Sequence, residues 1–122
     1  MQAVNEIKAD LSYTVEELQY ILAVAEQYAY SAAEQYERDV LQGRMDACGF
    51  AWTNIAGIKG NTRVGRALTK AGIRKDYTRT YQIWNPSNYP TQNISTLEAG
   101  ARAAADVFKS YGFDAYPGSR MD

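Results

Sequence analysis

The chain has 122 residues, 46% of them apolar, a formal net charge of −1, one cysteine and no histidine. That length supports one domain with a single modest core, and no apolar run approaches the roughly 18 residues needed to span a membrane. The lone Cys48 excludes an internal disulfide, and the lack of histidine excludes an ordinary His/Cys zinc site and Ser-His or Cys-His nucleophilic pairs within one chain.

Residues 1–12 read as a polar lead-in, without the basic-then-apolar order of a signal peptide. Together with the single cysteine this sets the expectation of a cytoplasmic protein. Thr14-Val-Glu-Glu17 has the spacing of a capping box, in which a hydroxyl caps the first turn and a carboxylate answers three residues on. Behind it Val15, Leu18, Leu22, Ala25, Ala29, Ala32 and Tyr36 recur in steps of three and four, which places them on one stripe of a helix. Gly43 is a plausible stop. Unbroken, this helix has roughly 28 residues and is about 42 Å long, against a radius of gyration of about 14 Å for a compact chain of this size. Either it breaks, with Ser31-Ala-Ala-Glu34 capping a second helix, or part of it packs on another subunit, or the stripe is simply the core face. We expect self-association into a homo-oligomer through Leu18, Leu22, Ala25, Ala29 and Ala32, whose small members let a partner helix come close.

Gly49 to Ile55 reads as a strand. Thr62 to Ala71 reads as a helix, capped by Asn61 or Thr62 and stopped by Gly72. Arg79 to Trp84 alternates and reads as a second strand. Asn85-Pro-Ser-Asn-Tyr-Pro90 is a loop, because a residue before proline avoids helical angles. Ser95-Thr-Leu-Glu98 has the spacing of a second capping box, before a helix that buries Leu97, Ala101, Ala104, Ala105 and Phe108 and stops at Gly112. Phe113 to Tyr116 reads as a short last strand ending at a Pro117-Gly118 turn. The expected class is α+β, or α/β: a single domain over 1–122, with a helical segment at 1–44 and an α/β unit at 45–122. A β-α-β-α-β order would form a small three-stranded sheet with helices mostly on one face.

The small net charge hides an uneven distribution. Residues 1–50 hold three basic against nine acidic residues, and residues 57–82 hold seven basic residues against Asp76 alone. This asymmetry points to an anionic partner, or to attraction between the two halves. In Gly57-Ile-Lys-Gly-Asn-Thr-Arg-Val-Gly-Arg-Ala-Leu-Thr-Lys70, residues Arg63, Arg66 and Lys70 share one helical face, and Lys59 stands just before it. Positive charge at a helix N-terminus opposes the dipole, and a bound anion would offset the mismatch. The candidate anion or nucleic-acid site is therefore Lys59, Gly60, Asn61, Thr62, Arg63, Arg66, Lys70, Arg74 and Lys75. Neither GxxxxGK[ST] nor GxGxxG occurs. Trp52 and Trp84, with Tyr77, Tyr81 and Tyr89 nearby, are candidates for stacking on bases of a single strand.

Two resemblances bear on function. Val64-Gly-Arg-Ala-Leu68 and Phe108-Lys-Ser-Tyr-Gly-Phe113 resemble GNAT-type acetyltransferases, in which a Gln/Arg-x-x-Gly-x-Gly/Ala turn binds the coenzyme A pyrophosphate. Here Gly60 stands in place of the Gln/Arg and Arg63 in place of the first glycine. From Cys48 to Asp122 the chain resembles a group of small proteins of tailed bacteriophages. The pieces that carry this are Gly49-Phe-Ala-Trp52, Asn61 to Leu68, Trp84-Asn-Pro-Ser87, Glu98-Ala-Gly-Ala101 and Gly118-Ser-Arg-Met-Asp122. The group has no assigned activity, so this resemblance implies a phage origin and a host-cell location rather than a mechanism.

Three functions are in contention: a non-enzymatic module binding nucleic acid or another anionic ligand, an assembly protein acting through its long helix, and an enzyme. Without histidine, acid–base work falls to carboxylates, Lys or Tyr, and Asp76, Glu98, Asp106 and Asp114 form no pair by spacing. No catalytic residue, metal or cofactor is assigned, and a membrane partner is not expected. In the terminal Gly-Ser-Arg-Met-Asp, Arg120 and Asp122 could pair, or Ser119 and Arg120 could add donors to the anion site.

Overall fold

A computed structural model describes residues 3–76 and 78–122. The first helix, α1, runs Val15–Tyr36 and continues as a wider π-type turn over Glu37–Leu41. It passes Ser31 without a break. Its start is the expected capping box: the Glu17 N–H donates to Thr14 Oγ1 at 3.1 Å and the Thr14 N–H to Glu17 Oε1 at 2.8 Å. Its end is closed by Gln42 and Gly43, both with positive φ, and by the Arg44 guanidinium, which donates to the Leu41 carbonyl at 2.9 Å. There follow β1 (Gly49–Ala56), α2 (Arg63–Lys70), β2 (Arg74–Lys75), β3 (Tyr81–Trp84), α3 (Ile94–Ser110) and β4 (Asp114–Met121).

The protein is α+β, and its sheet has four strands rather than three, in the order β2-β3-β1-β4 with every neighbour antiparallel. Two crossovers, β1-α2-β2 and β3-α3-β4, each skip one strand. This is the split βαβ, or ferredoxin-like, topology, preceded here by α1. The additional strand, β2, pairs only Arg74 with Gln82 and Lys75 with Tyr81. In the turn that follows, the Asp76 carboxylate accepts from the Thr78 and Thr80 N–H groups and the Thr78 hydroxyl. β4 does not stop at Pro117-Gly118 but runs on to Met121, in register with β1 throughout.

Side chains alternate across a strand, and β1 shows both faces. Gly49, Ala51, Thr53 and Ile55 are buried, and the Thr53 hydroxyl donates to the Ala101 carbonyl of α3 at 2.8 Å. All three helices lie behind this face, since Tyr81, which is in register with Ile55, donates its hydroxyl to the Gly65 carbonyl of α2. The α1 stripe is turned onto the same core. Leu18, Ala25 and Ala29 are fully buried within the chain, and Leu22 packs against the core. They close on α3, where Gly100 stands so near that a Cβ there would lie 3.2 Å from the Ala29 carbonyl. The expected interface residues Leu18, Leu22, Ala25 and Ala29 therefore do not form an outward surface. Their small volume serves close packing of α1 on α3. Ala32 is half-buried beside Tyr36, Val40 and Ala99.

The lead-in is more than polar chain. Val4 is buried, its carbonyl accepts from the Tyr111 hydroxyl, and the Tyr13 hydroxyl donates to the Tyr111 carbonyl at 2.6 Å. Burial, with Tyr20, Tyr13 and Tyr28 nearby, raises the Tyr111 phenol above its ordinary pKa.

The second capping box does not form. α3 begins at Ile94, so Ser95 lies inside the helix, and Glu98 instead accepts from the Ser119 hydroxyl at 2.6 Å. The helix N-terminus is capped from a distance: Asp46 accepts from the Ser95 N–H at 2.9 Å. Hydrogen bonds from the Ser95 side chain, then from the Ser95 and Ala47 backbone, hold the Asp46 carboxyl below its usual range. A lowered native pKa contributes stability that is complete above the unfolded aspartate value and is lost as pH falls through the native one. Asp46→Asn is expected to lower stability at neutral pH and to flatten the acid side of the stability profile. Denaturant melts at a series of pH values would read both.

Candidate functional site

Among the described residues, no helix covers the opposite face of the sheet. Its side chains fall in rows set by the strand register. One row is Arg74, Gln82, Asn54 and Tyr116; the next is Trp84, Trp52 and Gly118; the third is Phe50 and Arg120. These three rows hold no carboxylate. Asp114 sits beyond them, opposite Ala56.

Cross-strand partners on one face come within about 5.5 Å at Cβ, so the register brings Trp52 and Trp84 together. Their ring centroids are 4.9 Å apart at 39°. Phe50 meets Trp84 edge-on at 6.5 Å, and the Arg120 guanidinium lies 5.4 Å from the Phe50 ring centroid. Trp84 is 54% exposed, Tyr116 45% and Phe50 40%. The result is a continuous aromatic floor with Arg74 and Arg120 at opposite corners.

A hydrogen-bond chain holds the centre. Indole N–H is a donor only, and Trp52 Nε1 donates to Asn54 Oδ1 at 3.1 Å. That sets the direction of the Asn54 amide, whose oxygen also accepts from Gln82 Nε2 at 3.1 Å. The Gln82 carbonyl oxygen is then turned away from Asn54. Gly118 makes room for the ring: a Cβ there would stand 2.5 Å from Trp52 Nε1 and 2.9 Å from Asn54 Nδ2. Gly118→Ala is expected to tilt the Trp52 ring and break its bond to Asn54 while leaving the fold intact. Near-ultraviolet circular dichroism and tryptophan emission should change with little shift in melting temperature.

The basic segment lies elsewhere. The loop 57–62 and α2 sit behind the sheet, so the structure separates Arg63, Arg66 and Lys70 from the two tryptophans. Thr62 caps α2, accepting from the Gly65 N–H at 3.1 Å and donating to the Lys59 carbonyl at 2.6 Å. The Arg66 guanidinium donates to the Asn61 carbonyl at 2.6 Å, which ties down one of the expected phosphate ligands. Lys75 reaches back toward Gly60 and stands 5.4 Å from the Tyr81 ring centroid. Of the expected basic residues, only Arg74 is in register with the bare face. Among the described residues, no ion pair joins the basic segment to the acidic first half.

Of the other aromatics, Tyr81 is buried and Tyr89 packs on Tyr30 at 5.4 Å, away from the tryptophans. Tyr77 lies outside the described residues. Phe50, Asn54, Gln82 and Tyr116 were missing from the expected site. The signal for the first two was present: Phe50, Trp52 and Asn54 share one parity on a single strand. Arg120 and Asp122 do not pair; Arg120 sits on Phe50 and the Asp122 N–H donates to the Cys48 carbonyl at 3.0 Å. The carboxyls with lowered pKa, Asp10, Glu17, Asp46 and Asp76, are each held by hydrogen bonds in caps and turns, not gathered in a cleft. No helix of the described residues is long and apolar enough to cross a membrane.

No protein-family model, curated protein or solved structure matches the chain.

Proposed function

We propose that this chain is a non-enzymatic module that holds single-stranded nucleic acid on the bare face of its sheet. One observation carries the reading: Trp52 and Trp84 lie together on an open stretch of the sheet whose three rows hold no carboxylate, with Arg74 and Arg120 at opposite corners. Every base has a π-face, so aromatic platforms take unpaired bases with little regard to sequence. By analogy of architecture alone, four-stranded sheets backed by helices serve RNA-recognition modules in the same way. The resemblance to phage proteins fits such a module acting in a host cell. Its site is then the sheet face, with Arg74 the one member of the basic segment that contributes directly.

The test is tryptophan fluorescence during titration with single-stranded DNA, single-stranded RNA and duplex DNA. Single strands should quench and duplex should not, since paired bases offer no free face. With Arg74 and Arg120 as two phosphate contacts, log K should fall with log salt with a slope of about −1.4. Absence of quenching by any single strand at low salt would sink the proposal.

Assembly through α1 is the second reading. It rests on the outer residues Tyr28 and Val40, which are 62% and 46% exposed. Sedimentation over a range of concentrations tests it. An acetyltransferase-like activity is the third, and a thermal shift with coenzyme A would favour it.

A further inference from the structure

β2 pairs with β3 only as far as Gln82, because the chain turns away at Gly72, where φ is +99°. Ile83 and Trp84 are left with a free edge, and a cavity of about 290 Å³ opens there beside α1. This is just below the usual range for drug-sized ligand sites, roughly 300–1,000 Å³. Its apolar walls are Leu22, Ile73 and Trp84, and its polar groups are Glu26, Arg74 and Gln82. Glu26 and Arg74 carry opposite charges and line the same small space, yet no ion pair joins them. The Glu26 carboxylate has one side-chain partner, the Asn88 amide, at a long 3.4 Å.

We infer that this cavity receives one guanine base of the strand lying on the sheet, an inference that rests on the reading above. An ionised carboxylate only accepts hydrogen bonds and a guanidinium only donates them. Guanine alone among the four bases offers two adjacent donors, N1–H and N2–H, with acceptors at O6 and N7. The carboxylate of Glu26 answers the donors, and Arg74, a phosphate contact on a strand without guanine, turns to the acceptors, as arginine does when it reads guanine O6 and N7. The apolar walls cover the ring faces, and Trp84, shared between cavity and platform, passes the strand from one to the other. Adenine and cytosine each present one donor to the carboxylate, and thymine or uracil presents one flanked by repelling oxygens.

The experiment compares three hexamers by tryptophan quenching: oligothymidine, the same strand with one central guanine, and the same strand with inosine at that place. The guanine strand should bind about tenfold or more tightly than oligothymidine, the scale of a bidentate base contact. Inosine lacks the N2 amino group and should lose most of that gain. Glu26→Gln should bring the guanine strand to the oligothymidine level and leave oligothymidine unchanged. Equal binding of the three strands, with quenching intact, would overturn the guanine assignment alone. No quenching by any strand would overturn the single-strand reading and the assignment with it.

Discussion

Trp84→Ala is expected to weaken binding of a single-stranded oligonucleotide by roughly 5- to 150-fold, the equivalent of about 1–3 kcal/mol for one stacked base. Trp84 is the more exposed of the paired tryptophans and forms the top of the platform. Its removal also forfeits two aromatic contacts, with Trp52 and Phe50, each worth about 0.5–1.5 kcal/mol. That is a modest part of the roughly 5–15 kcal/mol that holds a domain folded, so the variant should still be folded when its binding is measured. Trp84→Phe keeps a π-face and should recover part of the loss. Arg63→Glu is the contrasting variant. Arg63 lies behind the sheet, so the reversal should alter stacking little, whereas a site on the α2 surface would be abolished by it. If Arg63→Glu removes binding and Trp84→Ala does not, the ligand sits on the basic helix and the sheet-face proposal is wrong.

Local signals in the sequence translated well where local chemistry decides. Thr14 and Glu17 make their box because both partners lie within one turn. The same logic failed at Ser95, because Asp46, far away in sequence, supplies the cap after the helix has begun two residues early. β2 was illegible: Arg74 and Lys75 are both exposed and show no apolar alternation, and only pairing with β3 makes them a strand. Pro117-Gly118 reads as a turn by composition, yet β4 is an edge strand, where a missing N–H is tolerated. Gly118 is there for the Trp52 ring. Periodicity marked the α1 stripe as a contact face and was silent on its partner. Ala104 and Ala105 of α3 are equally small and buried in the same core, Gly100 stands against Ala29, and they fill that place from within the chain. For the site, the sequence offered the residue types but not their adjacency. Trp52 and Trp84 are 32 positions apart, and their contact follows from register alone.

Gly65→Ala is expected to destabilise the protein by roughly 1–5 kcal/mol, against the sign that helix propensity suggests. Gly65 lies within α2, where alanine is ordinarily better than glycine by about 1 kcal/mol. Here, however, a Cβ would stand 2.3 Å from the Lys59 carbonyl oxygen, 2.8 Å from the Tyr81 hydroxyl and 3.0 Å from Gly60 Cα. Two of those three are backbone atoms of the loop 57–62, which rests on the first turn of α2. To admit the methyl group, the loop must lift or the helix must shift. Overpacking of this kind costs about 1–3 kcal/mol, and a shift of α2 would also strip the buried Tyr81 hydroxyl from the Gly65 carbonyl, at a further cost of about 1–3 kcal/mol. Thermal melts give the sign directly, and Gly60→Ala is the matched control. The nearest atoms to a Cβ at position 60 belong to the flexible end of Lys75, at 3.4–3.8 Å, so that change should be close to neutral. A stable Gly65→Ala protein would mean that the loop gives way easily and is not braced by α2. A destabilised one that still binds single strands at low temperature would separate the two roles. The basic loop and helix would then be a buttress behind Tyr81, with the ligand taken on the other face of the sheet.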